Sequence, residues 1–210
     1  MVVFLHGLWL HGHESLLLRR RLERAYGFDV EVFRYPSVTA TMAEVTSRLQ
    51  AFIAACAPRE LHLLGHSLGG LIAYRFLERF PEQPPGRVVF LGTPALASRA
   101  ARSVGRAPMA RALLGRCISE ELLTDRGRAW SGARDLGIIA GSLAAGLGQL
   151  VVHFNEPNDG SVAVSETRLP GATEHLTLPV SHFGMLLSAR VAREAGGFLA
   201  HGHFLQAGAR

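Results

Sequence analysis

Short apolar runs alternate with stretches of helical periodicity along most of the chain. Residues 2–6 form a mainly apolar run closed by Gly7, the pattern of a strand buried on both faces. Residues 8–13 read as a loop. From about residue 15 to 26, Leu18, Leu22 and Tyr26 recur on one helical face, and Gly27 stands where such a helix stops. Residues 29–35 predict a second strand, ended by Pro36. Thr41-Met42-Ala43-Glu44 is a capping-box signature. Met42, Val45, Leu49, Phe52, Ile53 and Cys56 follow at helical spacing, which assigns Cys56 to the core, and Pro58 closes that helix. Residues 61–64 predict a third strand. A helix carrying Leu68, Leu71, Ile72, Phe76 and Leu77 comes next and ends at Pro81, and residues 88–91 predict a fourth strand.

The pattern weakens after Gly92. Residues 93–134, rich in Arg and small side chains, read as a cap or lid, with helices expected over 109–114 and 118–123. Residues 136–140 predict a strand, 141–148 a loop, and Val151 and Val152 a short extended piece. Residues 175–178 predict the last strand and 183–199 one closing helix, with a frayed tail from Gly202. This alternation predicts an α/β fold: one domain over 1–210, with a mostly parallel sheet of about six strands and helices on both faces. Ligands of such sheets bind at the carboxyl ends of the strands, where Gly7, Ser67 and Gly92 fall.

Composition narrows the reading. No apolar run reaches the eighteen residues that span a bilayer, and no basic leader precedes the first strand, so a cytoplasmic protein is expected. Cys56 and Cys117 are expected as free thiols in a reducing compartment. The formal charge is +5, yet all 22 basic residues are Arg, scattered apart from Arg19, Arg20, Arg21 and Arg24. That cluster predicts a solvated helix face, and a weak contact of this helix with a membrane surface is a further expectation. Without a Walker loop, a G-x-G-x-x-G or basic–aromatic interleaving, no nucleic-acid partner is expected. His6, His11 and His13 lack a completing ligand set beyond Glu14, so no metal is expected.

The chemistry centres on Gly65-His66-Ser67-Leu68-Gly69-Gly70, a G-x-S-x-G between a strand and a helix. There a serine stands at the tip of a tight turn, and small residues on either side let the helix and strand cross closely. Serine needs a base, and the base a carboxylate to hold its ring. His182, between the last strand and last helix, is the leading base, with His175 as its rival. Asp159, in Asn158-Asp159-Gly160, is the leading acid, against Asp135, Asp125 and Glu156. A plain Asn-Asp-Gly turn is the structural alternative for Asp159. Oxyanion donors are expected from the backbone N–H groups of Leu68 and Leu8, with Trp9 second to Leu8. His6 and His66 are expected to shape the site by hydrogen bonding.

The chain resembles the α/β-hydrolases in their lipase and esterase branch. The pieces that carry the resemblance are His6-Gly7-Leu8, Gly65-His66-Ser67-Leu68-Gly69-Gly70, Leu91-Gly92-Thr93-Pro94, Asn158-Asp159-Gly160-Ser161-Val162 and Ser181-His182-Phe183. Gly92-Thr93-Pro94 and the Asp159-Gly160-Ser161-Val162 loop are similar to those of lipases and of enzymes that deacylate the inositol of lipid anchors. The resemblance implies cofactor-free hydrolysis of a small-molecule or lipid carboxylic ester through an acyl-enzyme. The sheet is expected to start at the family's third strand, without the first hairpin, and Ala95 stands where lipases of the branch often carry His. Both departures favour a small esterase over a triglyceride lipase. Trp9, Leu10 and Leu96 are the expected substrate-pocket residues. An acyltransferase with the same three residues, or a ligand-binding member of the fold, are the alternatives.

Overall fold

Strands β1 (Val2–Leu5), β2 (Val30–Phe33), β3 (His62–His66), β4 (Val88–Leu91), β5 (Leu136–Gly141) and β6 (Glu174–Leu178) form a single sheet in a computed structural model of the chain. The strand order is β2-β1-β3-β4-β5-β6, and every pair is parallel. The structure describes residues 1–95, 117, 128–145 and 154–205. The expected helices over 109–114 and 118–123, Asp125, the extended piece at Val151 and Val152, the pocket residue Leu96 and most of the cap lie outside the described residues.

The strands read as unbroken apolar runs because both faces are covered. Alternate side chains point to opposite faces. Val3, Leu5, Leu63, Val88, Phe90, Leu136 and Ile138 meet helices α2 (Met42–Cys56) and α3 (Leu68–Arg79). Val2, Phe4, Leu64, Val89, Leu91 and Ile139 meet α1 (Leu16–Tyr26) and the C-terminal helices on the other side. Among the described residues three helices follow β5: the short α4 (Val164–Thr167) and α5 (Gly184–Leu187) and the longer α6 (Ala189–His201). Among the described residues no helix is long and apolar enough to cross a membrane.

Local chemistry sets the ends of these elements. Thr41 Oγ1 accepts the Glu44 N–H, and a Glu44 carboxylate oxygen accepts the Thr41 N–H, so the capping box at α2 is formed. Gly27 ends α1 in the left-handed region, at φ 67°.

Three expectations need correction. Cys56 is the last residue of α2 and is exposed, in the final turn beyond Ile53, the last buried residue of that helix. The closing helix is two pieces: Ser188 is extended, and its Oγ accepts the Val191 N–H at 3.3 Å, capping a new helix in place of the old. The first piece buries Met185 and Leu186 and leaves Leu187 exposed, while the second buries Val191, Ala195 and Phe198. The tail does not fray at Gly202: Phe204 is buried, and its N–H donates to Glu174 Oε2 at 2.7 Å.

Candidate active site

The turn between β3 and α3 is built by close approach. A side-chain carbon at Gly69 would overlap the Leu5 carbonyl oxygen and lie 2.6 Å from the Leu5 carbonyl carbon. One at Gly65 would lie 2.5 Å from Gly70 Cα. Only bare backbone fits at either position, so α3 can start directly against β1 and β3. Ser67 sits between them at φ 54°, ψ −118°, a conformation costing on the order of 1–3 kcal/mol for a non-glycine residue. Two backbone bonds hold it there: Ser67 N–H to Leu91 O at 2.9 Å, and Gly70 N–H to Ser67 O at 3.1 Å. Ser67 is partly exposed, although its neighbours on both sides are buried.

Asp159 and His182 meet at the same rim. His182 Nδ1 and Asp159 Oδ2 are 2.7 Å apart, and the His182 N–H donates to Asp159 O at 2.8 Å. Asp159 is 1% exposed. Its other oxygen, Oδ1, accepts the N–H groups of Ser161 at 2.9 Å and Val162 at 2.7 Å. Asn158 Oδ1 accepts the Gly160 N–H at 2.9 Å. The Asn-Asp-Gly turn is therefore real, and it leaves one carboxylate oxygen to the imidazole. Gly92, at the end of β4, lies beneath the pair: a side-chain carbon there would be 3.0 Å from Asp159 Oδ2 and 3.1 Å from His182 Nδ1. Leu91, which holds the Ser67 N–H, is the adjacent residue. The structure thus brings residues 67, 159 and 182 to one end of neighbouring strands.

His66 links the elbow to the histidine loop. It is 1% exposed; its Nε2 lies 3.0 Å from the His182 carbonyl oxygen, and the two rings are 4.8 Å apart. A carbonyl can only accept, so Nε2 carries the proton and Nδ1 does not. Burial pulls its pKa down to about 3, which keeps the ring neutral beside His182. His6 is also buried and its pKa is lowered by desolvation; it stacks on Tyr35 at 4.0 Å, and the Tyr35 hydroxyl donates to its carbonyl. Both histidines shape the site as expected.

The loop after β1 supplies the remaining features. The Trp9 N–H donates to Ser37 Oγ at 3.0 Å, so it is already engaged. Among the described residues the N–H groups of Leu8 and Leu68 have no such bond. Trp9 and Leu10 line a cavity of about 540 Å³ with His6, Arg34, Tyr35 and Ser37. A larger one, about 720 Å³, lies by the first turns of α2 and includes none of the expected site residues.

The rival residues fall elsewhere. His175 lies at the amino half of β6, with Nε2 2.8 Å from Thr167 Oγ1. Asp135 precedes β5 at the far end of the sheet and pairs with Arg87 at 3.4 Å. Among the described residues no group of three His, Cys, Asp or Glu side chains is arranged to hold a metal. Two features had no reading in the sequence: the His66–His182 contact and α4. Glu166, three residues after Ala163, was the available signal for α4, since its carboxylate accepts the Ala163 N–H at 3.1 Å.

The fold has many solved relatives of low identity. Lipase BlEst2 of Bacillus licheniformis, in its mature form, superimposes with a TM-score of 0.67 at 22% identity, covering 88% of this chain and 85% of that one. The RedJ thioesterase from the prodiginine biosynthetic pathway in Streptomyces coelicolor gives 0.59 at 15% identity, covering 93% and 84%. A monoacylglycerol lipase of Paleococcus ferrophilus gives 0.58 at 18% identity, covering 85% and 83%. No curated protein matches the chain. The model of the alpha/beta hydrolase family matches residues 2–195, so the chain belongs to that family.

Proposed function

We propose that the protein is a serine hydrolase that cleaves carboxylic esters through an acyl-enzyme. Ser67 Oγ attacks the ester carbonyl carbon, and His182 Nε2 takes its proton. Asp159 fixes the ring with Nδ1–H toward its carboxylate and stabilises the imidazolium that forms. The backbone N–H groups of Leu68 and Leu8 receive the oxyanion. The intermediate collapses, and the alcohol leaves with the proton from His182. Water then attacks the acyl carbonyl, with His182 again as base, and Ser67 is released. No step requires a cofactor. Trp9, Leu10 and Leu96 are assigned to the acyl pocket.

The observation that supports this reading is the 2.7 Å contact between His182 Nδ1 and a buried Asp159 oxygen, at the same rim of the sheet as a serine held at φ 54°. Orienting one ring nitrogen leaves the other for a nucleophile, and a strained elbow exposes one. The lipase and thioesterase names of the structural neighbours agree with acyl chemistry. The test is turnover of p-nitrophenyl esters of graded chain length. Wild-type protein is expected to hydrolyse them and Ser67→Ala to lose activity while retaining its circular dichroism. Unchanged turnover in Ser67→Ala would remove the assignment.

A further inference from the structure

The large exposed apolar side chains of the described residues are Trp9, Leu16, Leu17, Leu143, Phe183 and Leu187. All six follow strand ends or open the first turn of α1, so all lie at the carboxyl end of the sheet. Four of them form one surface. Leu16 and Leu17, 47% and 41% exposed, begin α1. Phe183 and Leu187, 50% and 48% exposed, lie four residues apart at α5. The Arg21 guanidinium ties the two helices together by donating to Leu187 O at 2.5 Å. Leu17 stands one turn before Arg21 on α1, and α5 also packs against residues 13–15, just ahead of Leu16, so the two elements that carry the four apolar residues lie side by side. Phe183 follows His182 directly, so this surface borders the candidate active site.

Positive charge surrounds the patch. Arg20 follows Leu16 by one helical turn, Arg24 lies a turn further along α1, and Arg190 opens α6 beyond Leu187. All three are exposed, and among the described residues none has an ionic partner. Glu23, the acidic residue within α1, faces Arg19 at 3.9 Å.

We propose that this face docks on an anionic lipid surface, with the four apolar side chains entering the acyl boundary and the guanidinium groups meeting headgroup phosphates. Both halves of the chemistry are needed for a stable interfacial contact: apolar anchors supply burial and cations supply attraction. A second copy of the chain is a poorer occupant. A two-fold contact through this face would set Arg20, Arg24 and Arg190 against the same groups of the partner copy. The purpose of docking, delivery of a lipid ester to Ser67, rests on the function proposed above; the docking itself does not.

The test is co-sedimentation of the full chain with phosphatidylglycerol vesicles and with phosphatidylcholine vesicles, which needs no catalysis. Binding is expected to phosphatidylglycerol, weaker to phosphatidylcholine, and reduced several-fold between 0.05 and 0.5 M salt, about the range over which surface charge is screened. Leu17→Ser with Leu187→Ser is expected to weaken vesicle binding at least about tenfold, with p-nitrophenyl acetate turnover unchanged. Arg20→Glu, at an exposed position that leaves the apolar residues in place, is expected to weaken binding to the anionic vesicles alone. Absence of binding to phosphatidylglycerol overturns the proposal, as does binding indifferent to both variants. A concentration-dependent dimer that the double variant abolishes, without vesicle binding, would assign the face to self-association. Turnover lost in Ser67→Ala with vesicle binding intact separates the two proposals.

Discussion

Replacing Asp159 by Asn tests how the histidine is held. Asp159 Oδ1 accepts two backbone N–H groups, from Ser161 and Val162, and Oδ2 faces His182 Nδ1. An amide at this position keeps its oxygen on the two backbone donors, because its NH2 group cannot serve them. The NH2 group then occupies the Oδ2 position and points an N–H, where an acceptor stood, at the imidazole. His182 must answer with a bare Nδ1, which moves its proton to Nε2, the nitrogen that has to accept from Ser67. The fold loses little, since both backbone bonds survive: about 1–2 kcal/mol for trading a charged acceptor for a neutral one. Catalysis loses its base. Loss of the correct tautomer in a serine hydrolase costs about 10⁴ in rate, or roughly 5 kcal/mol in barrier at 1.36 kcal/mol per decade. The assay is kcat/KM for p-nitrophenyl butyrate at pH 7.5, with a urea midpoint measured alongside. A rate within tenfold of wild type, in a protein still folded, would refute the orienting role of Asp159.

Three other outcomes follow from the packing. Gly69→Ala puts a side-chain carbon onto the Leu5 backbone carbonyl, which cannot swing aside, and is expected to lower the unfolding free energy by about 3 kcal/mol or more. By contrast Gly27→Ala meets no atom within 4 Å and bears only the left-handed φ of 67°, so about 1–2 kcal/mol is expected; equal urea midpoints for the two variants would contradict the close-approach argument. Burial lowers the pKa of His62 to about 4 and of His66 to about 3, both from 6.5. Between these values and pH 6.5 the unfolded chain binds protons the folded chain refuses, so stability is full above pH 6.5 and falls as pH drops. Each of the two contributes a slope of up to about 1.4 kcal/mol per pH unit, and His66→Gln is expected to remove one such contribution. A urea midpoint that is flat from pH 6.5 to 4.5 would contradict this.

The central strands were legible because they are buried on both faces: Val2–Leu5 and Val88–Leu91 leave no polar alternation to confuse the period. The elbow was legible for a steric reason, since Gly65 and Gly69 are where side chains cannot fit. That Asp159 and His182 would meet could be expected from their loops and order, although the sequence could not say that the Asn-Asp-Gly turn and the imidazole would divide the carboxylate between them. The break at Ser188 stayed hidden because Leu187 and Val191 keep helical spacing in the sequence, yet Leu187 is exposed and Val191 buried, and the Ser188 cap that separates them has no periodic signature. Cys56 was misplaced by extending periodicity one residue too far. The His66–His182 bond joins residues 116 apart, and no local pattern encodes it.

The claim on which the account stands is that Ser67 is a nucleophile activated by His182. It is tested most directly by a fluorophosphonate probe and peptide mass spectrometry of the labelled chain. The account predicts one adduct, on Ser67, formed by wild-type protein and slowed at least about a thousandfold in a folded His182→Ala variant. Label on another residue, or equal labelling of Ser67 with and without the imidazole, would contradict it.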